Sequence, residues 1–419
     1  MLESVVLVYT IYFALKTYIS IMQIGYINEE KRKKPVLMGE ARYMVAGNYA
    51  VAKEKVGLVE SFVDYLLFLW WVTSGFALLQ TYIVVDNQLL QAVLFLFGFS
   101  AIGFIGGLPF ELYQTFKIDE DFGFNKMNAK MYIIDSIKSM VMFFVFGGLI
   151  FGALAWIIIN YSAWWLWGFV MLFSIAILVN VLYPTVIAPI FNKFNPLEEG
   201  ELKDAITKLM ESVGLKSDGI FVMDASKRDS RLNAYFGGLG KSKRVVLFDT
   251  LLEKLTKDEL LAVLGHELGH FKHGDIWKNI ILMGVLLFTS FFILGNLPDE
   301  LFTSMGVTPT AGVQIATMSI LLPIISFIFT PIMSFVSRHN EYEADEFGSK
   351  MGGRENLVSA LMKLVTENKS FPKSHPLVIF FYHTHPPVIE RLKELGYDAS
   401  KEDNELPKDG IFAFIKEDS

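Results

Sequence analysis

Three side chains within five residues carry the most specific chemistry in this chain. They are His266, Glu267 and His270, in the run Leu264-Gly265-His266-Glu267-Leu268-Gly269-His270. Helix positions four apart share a face, so both imidazoles can bind one zinc ion, with Glu267 in reach of a water beside it. Zinc accepts neutral imidazole and lowers the pKa of a bound water to about 7. A carboxylate at Glu267 can take the released proton and pass it to a leaving amine. The pattern points to peptide hydrolysis with one Zn2+ per chain. A catalytic zinc normally has three protein ligands and one open position, so a third ligand must come from elsewhere. The chain has no cysteine, which excludes a thiolate ligand and disulfides alike.

The elements that must position these groups follow from their neighbours. Lys257-Asp258-Glu259-Leu260-Leu261-Ala262-Val263 places acidic residues in a first turn and then apolar residues at helical spacing, so the motif lies on a helix. A candidate for the third ligand comes much later, in Ser337-Arg338-His339-Asn340-Glu341-Tyr342-Glu343-Ala344-Asp345. Glu341 and Asp345 are four apart and share a face, whereas Glu343 points away. Glu341 as ligand with a supporting carboxylate one turn on suits a His/His/Glu site. His339 is a rival ligand, and a solvated acidic helix is the plain alternative.

Composition places the site at a membrane. The chain of 419 residues is 53% hydrophobic and only 19% charged, which excludes an ordinary soluble enzyme. Seven apolar runs are long enough to cross a bilayer: Val5–Ile24, Val63–Val84, Leu89–Phe110, Met140–Tyr161, Trp164–Thr185, Trp277–Leu297 and Val313–Val336. The expected fold is mostly α, about seven transmembrane helices with a zinc-peptidase part containing a small β-hairpin. Lys31, Arg32, Lys33, Lys34, Arg42, Lys53 and Lys55 lie between spans one and two, and Lys117, Lys126, Lys130 and Lys138 between three and four. The connections after spans two, four and six hold no lysine or arginine. By the positive-inside rule the N-terminus is outside, and the segment with His266 and the chain after Val336 are cytoplasmic. Val5–Ile24 is too long for a cleavable leader's apolar core and is read as the first span. Lys16, near its middle, either faces a polar interior or snorkels from a tilted helix. The net charge of −7, with no separate basic stripe, makes nucleic acid an unexpected partner.

The expected organisation is an N-terminal membrane region, residues 1–190, and a metallopeptidase region, residues 191–419, whose cytoplasmic parts are 191–276 and 337–419. Asn28–Phe62 and Pro109–Lys138 are polar segments of the first region. In the second, Leu202–Val213 reads as an amphipathic helix, and Gly219–Met223, Leu232–Phe236 and Arg244–Phe248 read as strands. Gly237–Lys243 is rich in turn residues and suggests a hairpin between the last two. An exposed strand edge there has the chemistry to pair with a substrate backbone. From about Ser400 the chain is charged and expected to be loosely ordered apart from Ile411–Ile415.

Together these features resemble the CAAX prenyl protease type 1 family of multi-spanning zinc metallopeptidases. The resemblance rests on Leu264–Gly274, Glu341–Asp345, Asp224-Ala225-Ser226-Lys227-Arg228 with Asn233-Ala234-Tyr235-Phe236, and Arg244–Leu252. It extends to Leu108-Pro109-Phe110 and Phe122–Lys126 in the first half. It implies seven helices around an intramembrane chamber, Glu341 as third zinc ligand with Asp345 as its supporting carboxylate, and substrate binding by Asn233, Ala234 and Tyr235. It also implies His385 and Arg391 near the scissile carbonyl, and both are the kind of donor that a tetrahedral intermediate needs. The implied substrates are peptides or membrane proteins with hydrophobic or lipid-modified C-termini. Phe271 departs from the tryptophan that eukaryotic relatives tend to have. With no cysteine and no endoplasmic-reticulum retrieval signal, the expected location is a bacterial inner membrane. Two alternatives stand beside this reading: a membrane-protein quality-control protease of the same chemistry, and a scaffold or transporter with structural zinc.

Overall fold

The computed structural model describes residues 1–215, 219–238 and 243–397. Its frame is seven helices long and apolar enough to span a membrane: Leu2–Glu30, Glu40–Tyr82, Gln88–Asp119, Ala129–Asn160, Trp164–Phe191, Asp275–Leu294 and Ala311–Gly352. Each contains most of the apolar run expected for it. Several run well past the hydrocarbon length, because the charged residues that end an apolar run do not end a helix. The polar segments 28–62 and 109–138 are therefore largely helical, with short breaks after Glu30 and after Asp119. Spans two to five each contain one widened turn, at Trp71–Gly75, Gln114–Asp119, Phe143–Gly147 and Tyr183–Ile187.

The spans are apolar on both faces, as lipid-facing helices are. Ile11, Leu15, Ile105, Val141 and Leu149 project outward, while Phe68, Trp71, Phe76, Phe95, Phe291 and Val313 interlock between the helices. Lys16 faces inward. It lines two cavities of about 340 and 310 Å³ between spans one and two, each shared with Ser61 and Asp64. A polar interior, not snorkelling, accounts for this charge.

The peptidase part is a small mixed sheet packed on helices. Its strands β1 (Phe194–Pro196), β2 (Ile220–Met223), β3 (Ala234–Gly237) and β4 (Arg244–Phe248) lie in the order β1-β2-β4-β3. The expected hairpin strands β3 and β4 are antiparallel, with Ala234 opposite Leu247. Residues 239–242 of their connection, and Ile411–Ile415, lie outside the described residues. β1 was not expected: three residues ending in proline make a weak strand signal, and pairing with β2 at the sheet edge supplies the order. Ile206 and Leu209 of the amphipathic helix Glu201–Ser212 pack with Val245, Leu247 and Leu251 on Leu260, Leu264 and Leu268 of the HExxH helix. That core fixes the motif helix from below.

Candidate active site

The HExxH helix runs from Lys257 to Lys272. Its start is set by a reciprocal cap: the Glu259 amide donates to the Thr256 hydroxyl, and the Thr256 amide donates to the Glu259 carboxylate. Glu259 is buried and also receives Ser359 at 2.5 Å and Lys363 at 2.8 Å, which ties this end to helix Arg354–Glu367.

The seventh span brings the rest. It is a continuous helix of 42 residues, about 63 Å long and roughly twice the hydrocarbon thickness. Its last turns cross the HExxH helix at a seam of small residues. Any Cβ on Gly348 would lie 2.7 Å from the His266 amide nitrogen. One on Gly269 would lie 2.9 Å from Ala344 Cα, and one on Gly352 2.2 Å from Ala262 Cα. Glycine allows the two backbones to touch, as small residues do wherever helices approach closely. The seam places Glu341 against both histidines.

The resulting cluster is tight. Nε2 of His266 and Nε2 of His270 face each other at 3.2 Å, and the Glu341 carboxylate lies 3.5 Å from the first and 3.2 Å from the second. Each imidazole is held from behind: His266 Nδ1 lies 2.9 Å from Asp345 Oδ1, and His270 Nδ1 2.8 Å from Asp275 Oδ2. With each Nδ1–H directed at its own carboxylate, both Nε2 atoms, once deprotonated, present lone pairs to one point. Glu341 adds another: its Oε2 is buried and makes no hydrogen bond, with the Arg391 guanidinium 3.2 Å away as an ion pair. Three converging donors that only a cation can satisfy fit a divalent metal. His339, the rival ligand, is exposed and sits 3.7 Å from Glu343, outside the cluster.

Glu267 points into a cleft of about 560 Å³ that also holds His266, Asn233, Ala234, His385 and Arg391. Burial pushes its carboxyl above the usual carboxylate range, and the adjacent charge of Glu341 adds to this against the two imidazoles. The two expected oxyanion donors differ. His385 stands exposed in the cleft with Nε2 3.2 Å from Glu341 Oε1. Arg391 is buried and forked on Asp345, with Nε–Oδ2 at 2.7 Å and Nη2–Oδ1 at 2.6 Å, and its Nη1 lies 3.2 Å from Glu341. Asp345 thus supports His266 and Arg391; its expected partner, Glu341, is held by the arginine instead.

At the cleft's rim lies the free edge of β3. The Phe248 amide donates to the Asn233 carbonyl, so Asn233, Tyr235 and Gly237 turn their backbone groups to β4. Ala234 and Phe236 alternate outward. Asn233 and Ala234 line the cleft, and the Asn233 side chain accepts the Ala234 amide at 2.9 Å. Tyr235 does not reach it. Strand alternation sends its ring to the other face, where it packs with Met223, Ala225, Val246 and Phe248.

The sequence reading did not find Asp275 or Lys278. Lys278 bonds Asp275 at 2.8 Å and Asn340 at 3.0 Å, joining span six to span seven beside the His266, His270 and Glu341 cluster. A signal was present: Gly274 ends the motif helix in a left-handed turn, and an acid in the next helix's first position lies five residues from His270.

Residues 196–399 match the model of peptidase family M48, and residues 33–193 match that of the CAAX prenyl protease N-terminal segment with five membrane helices. The Arabidopsis thaliana protein named CAAX prenyl protease 1 homolog is 32% identical, covering 96% of this chain and 99% of that protein. The Saccharomyces cerevisiae CAAX prenyl protease 1 is 33% identical over 94% of each. The crystal structure of S. mikatae Ste24p superposes with a TM-score of 0.84 at 31% identity, covering 93% of this chain and 97% of that one. With the His266/His270/Glu341 cluster beside seven candidate spans, these likenesses settle the family: the chain belongs to the CAAX prenyl protease 1 family and is an integral-membrane metallopeptidase.

Proposed function

We propose that the chain is a zinc endopeptidase in which His266, His270 and Glu341 hold the metal and Glu267 is the general base. The observation that carries this reading is the meeting of two imidazole Nε2 atoms and one carboxylate, each imidazole backed by its own acid. When bound, zinc supplies Lewis acidity and lowers the pKa of water to about 7. Glu267 takes the proton of the attacking water and returns it to the leaving nitrogen. A substrate backbone pairs along β3 through the outward Ala234 carbonyl and the outward groups of Phe236, which lays its scissile bond across the cleft. His385, exposed there, donates to the oxygen that gains charge. Arg391 is committed to Asp345 and Glu341, so it holds those carboxylates in place.

The substrates are hydrophobic or lipid-modified C-terminal peptides, a reading supported by a cavity between spans one and two that shares Tyr382 with the cleft. Lysines and arginines between spans one and two and between three and four support a cytoplasmic active site and C-terminus with the N-terminus outside. The cysteine-free composition favours a bacterial inner membrane. The passage from span five to β1 supports a division of the chain near residue 190.

The test is Glu267→Gln in the purified full-length protein, with zinc and cleavage of an apolar-tailed peptide measured together. Zinc should stay near one equivalent while cleavage falls by at least about a hundredfold. Cleavage at the wild-type rate would refute the mechanism.

A further inference from the structure

The segment that leads into β3 is held almost atom by atom, and much of what holds it comes from the membrane half. The Lys126 amide donates to the Arg228 carbonyl at 3.0 Å, and the Ser230 amide to the Phe124 carbonyl at 3.1 Å. Asn125 and Asp229 form an antiparallel bridge between them. The Ser230 hydroxyl donates to the Gly123 carbonyl at 3.0 Å. The loop between spans three and four is, in effect, a short extra strand beside residues 228–230.

Side chains repeat the attachment. Arg228 forks onto Asp135 of span four, with Nε at 3.0 Å and Nη2 at 2.9 Å. Arg231 Nη2 donates to Asp119 at 2.8 Å and to the Tyr49 hydroxyl, while its guanidinium lies 4.1 Å from the centre of the Phe124 ring. Tyr49 in turn donates to Asp119 at 2.8 Å. Beyond Arg231, the Thr250 hydroxyl takes its carbonyl at 2.9 Å, and Asn368 bonds both the Leu232 amide (2.8 Å) and its carbonyl (3.1 Å).

β3 has a strand partner on one side only, among the described residues. Its open side therefore owes its position to β4 and to this anchorage, three residues or about 10 Å from Ala234. We propose that Asp119, Tyr49 and Arg231 are positioning residues for substrate: they set the edge with which the peptide backbone pairs. The membrane helices thereby belong to the substrate-binding apparatus as well as to the anchor. The cluster touches neither the metal ligands nor Glu267, so its loss should register in KM while kcat is spared. This rests on the reading of β3 as the substrate's pairing edge.

The experiment uses full-length protein in detergent, a fluorogenic peptide of about ten residues with an aliphatic tail, and versions of it N-methylated at each amide in turn. In the wild type, N-methylation at one or two positions should raise KM about tenfold, the worth of one lost hydrogen bond. Arg231→Gln should raise KM of the unmodified peptide by a similar factor, keep kcat within about twofold and retain one metal, and N-methylation should then cost little more. Asp119→Asn, which keeps size and hydrogen-bonding capacity, carries the same test if the arginine variant does not fold. Unchanged KM in a folded variant, or a fall confined to kcat or to metal content, overturns the proposal. If N-methylation leaves the wild type indifferent, the pairing edge itself is wrong, and this inference falls with it for a separately visible reason.

Discussion

Replacing Gly348 by alanine adds one methyl group where the seventh-span helix touches the backbone of His266. The new Cβ would stand 2.7 Å from the His266 nitrogen, 2.9 Å from its Cα and 3.0 Å from its Cβ. Carbon contacts are comfortable only near 3.5 Å, so the helices must part by roughly 0.5–0.8 Å. The opposing atoms are backbone, and no rotamer change can absorb the strain. Metal ligation tolerates only about 0.2 Å of ligand displacement, and a misplacement approaching 1 Å can cost about a hundredfold in rate. Alanine is the better helix former by about 1 kcal/mol, which offsets part of the overpacking, so the loss should appear in function before it appears in folding. The assay is peptide turnover together with metal content against a competing chelator, with Gly25→Ala as control because a Cβ there meets nothing within 4 Å. Gly348→Ala should bind metal at least tenfold more weakly and lose about 10²-fold in kcat/KM. Wild-type metal affinity and turnover would refute the claim that this seam sets the site.

Three further outcomes are expected. Asp275→Asn removes the charge behind His270 and should weaken metal binding about 10- to 100-fold, read by chelator competition; unchanged affinity would mean that this acid merely pairs with Lys278. Burial alone would lower the pKa of His270, but the Glu341 carboxylate and then Asp275 outweigh it and raise the imidazole to about 9. In chelator-treated protein His270 is therefore protonated at pH 7, and the metal must displace that proton. Metal affinity should climb about tenfold per pH unit from pH 7 towards 9 and then level, with proton release in calorimetry across buffers of different ionisation enthalpy. A flat profile would contradict it. Finally, a reporter fused after Val336 should read cytoplasmic and one within Pro298–Gly312 external; the reverse would overturn the sidedness argued from lysine and arginine.

Much of this arrangement could be read from residue types, for identifiable reasons. Spans announce themselves because lipid demands apolar residues on all faces, and Arg244–Phe248 matches β4 residue for residue because both its faces are covered. Helix lengths were not legible: polarity marks where lipid stops, whereas the helix at Glu40 or beyond Val336 ends only where capping or packing ends it. The motif pair of histidines was visible because its spacing is local. Asp275 was not, since its role depends on the left-handed turn at Gly274. Tyr235 was drawn into the substrate group by its neighbours in sequence, and strand alternation removes it. The seam of Gly265, Gly269, Ala344, Gly348 and Gly352 is plain in retrospect as small residues at four-residue intervals on two helices, but nothing in one sequence says which two helices meet.

The seventh-span helix has one more implication. Beyond Pro331, as far as Gly352, it contains no proline, so the part leaving the bilayer behaves as a stiff lever whose far section carries Glu341 and Asp345. Glu341 is ten residues, or about 15 Å, beyond Pro331, and a 5° change in tilt would swing it by roughly 1.3 Å. Bilayers of different thickness impose tilts of that order on a span of fixed length. Peptide turnover by this protein should therefore register the acyl-chain length of the lipid around it, with an optimum where the lever rests at the angle the two histidines require.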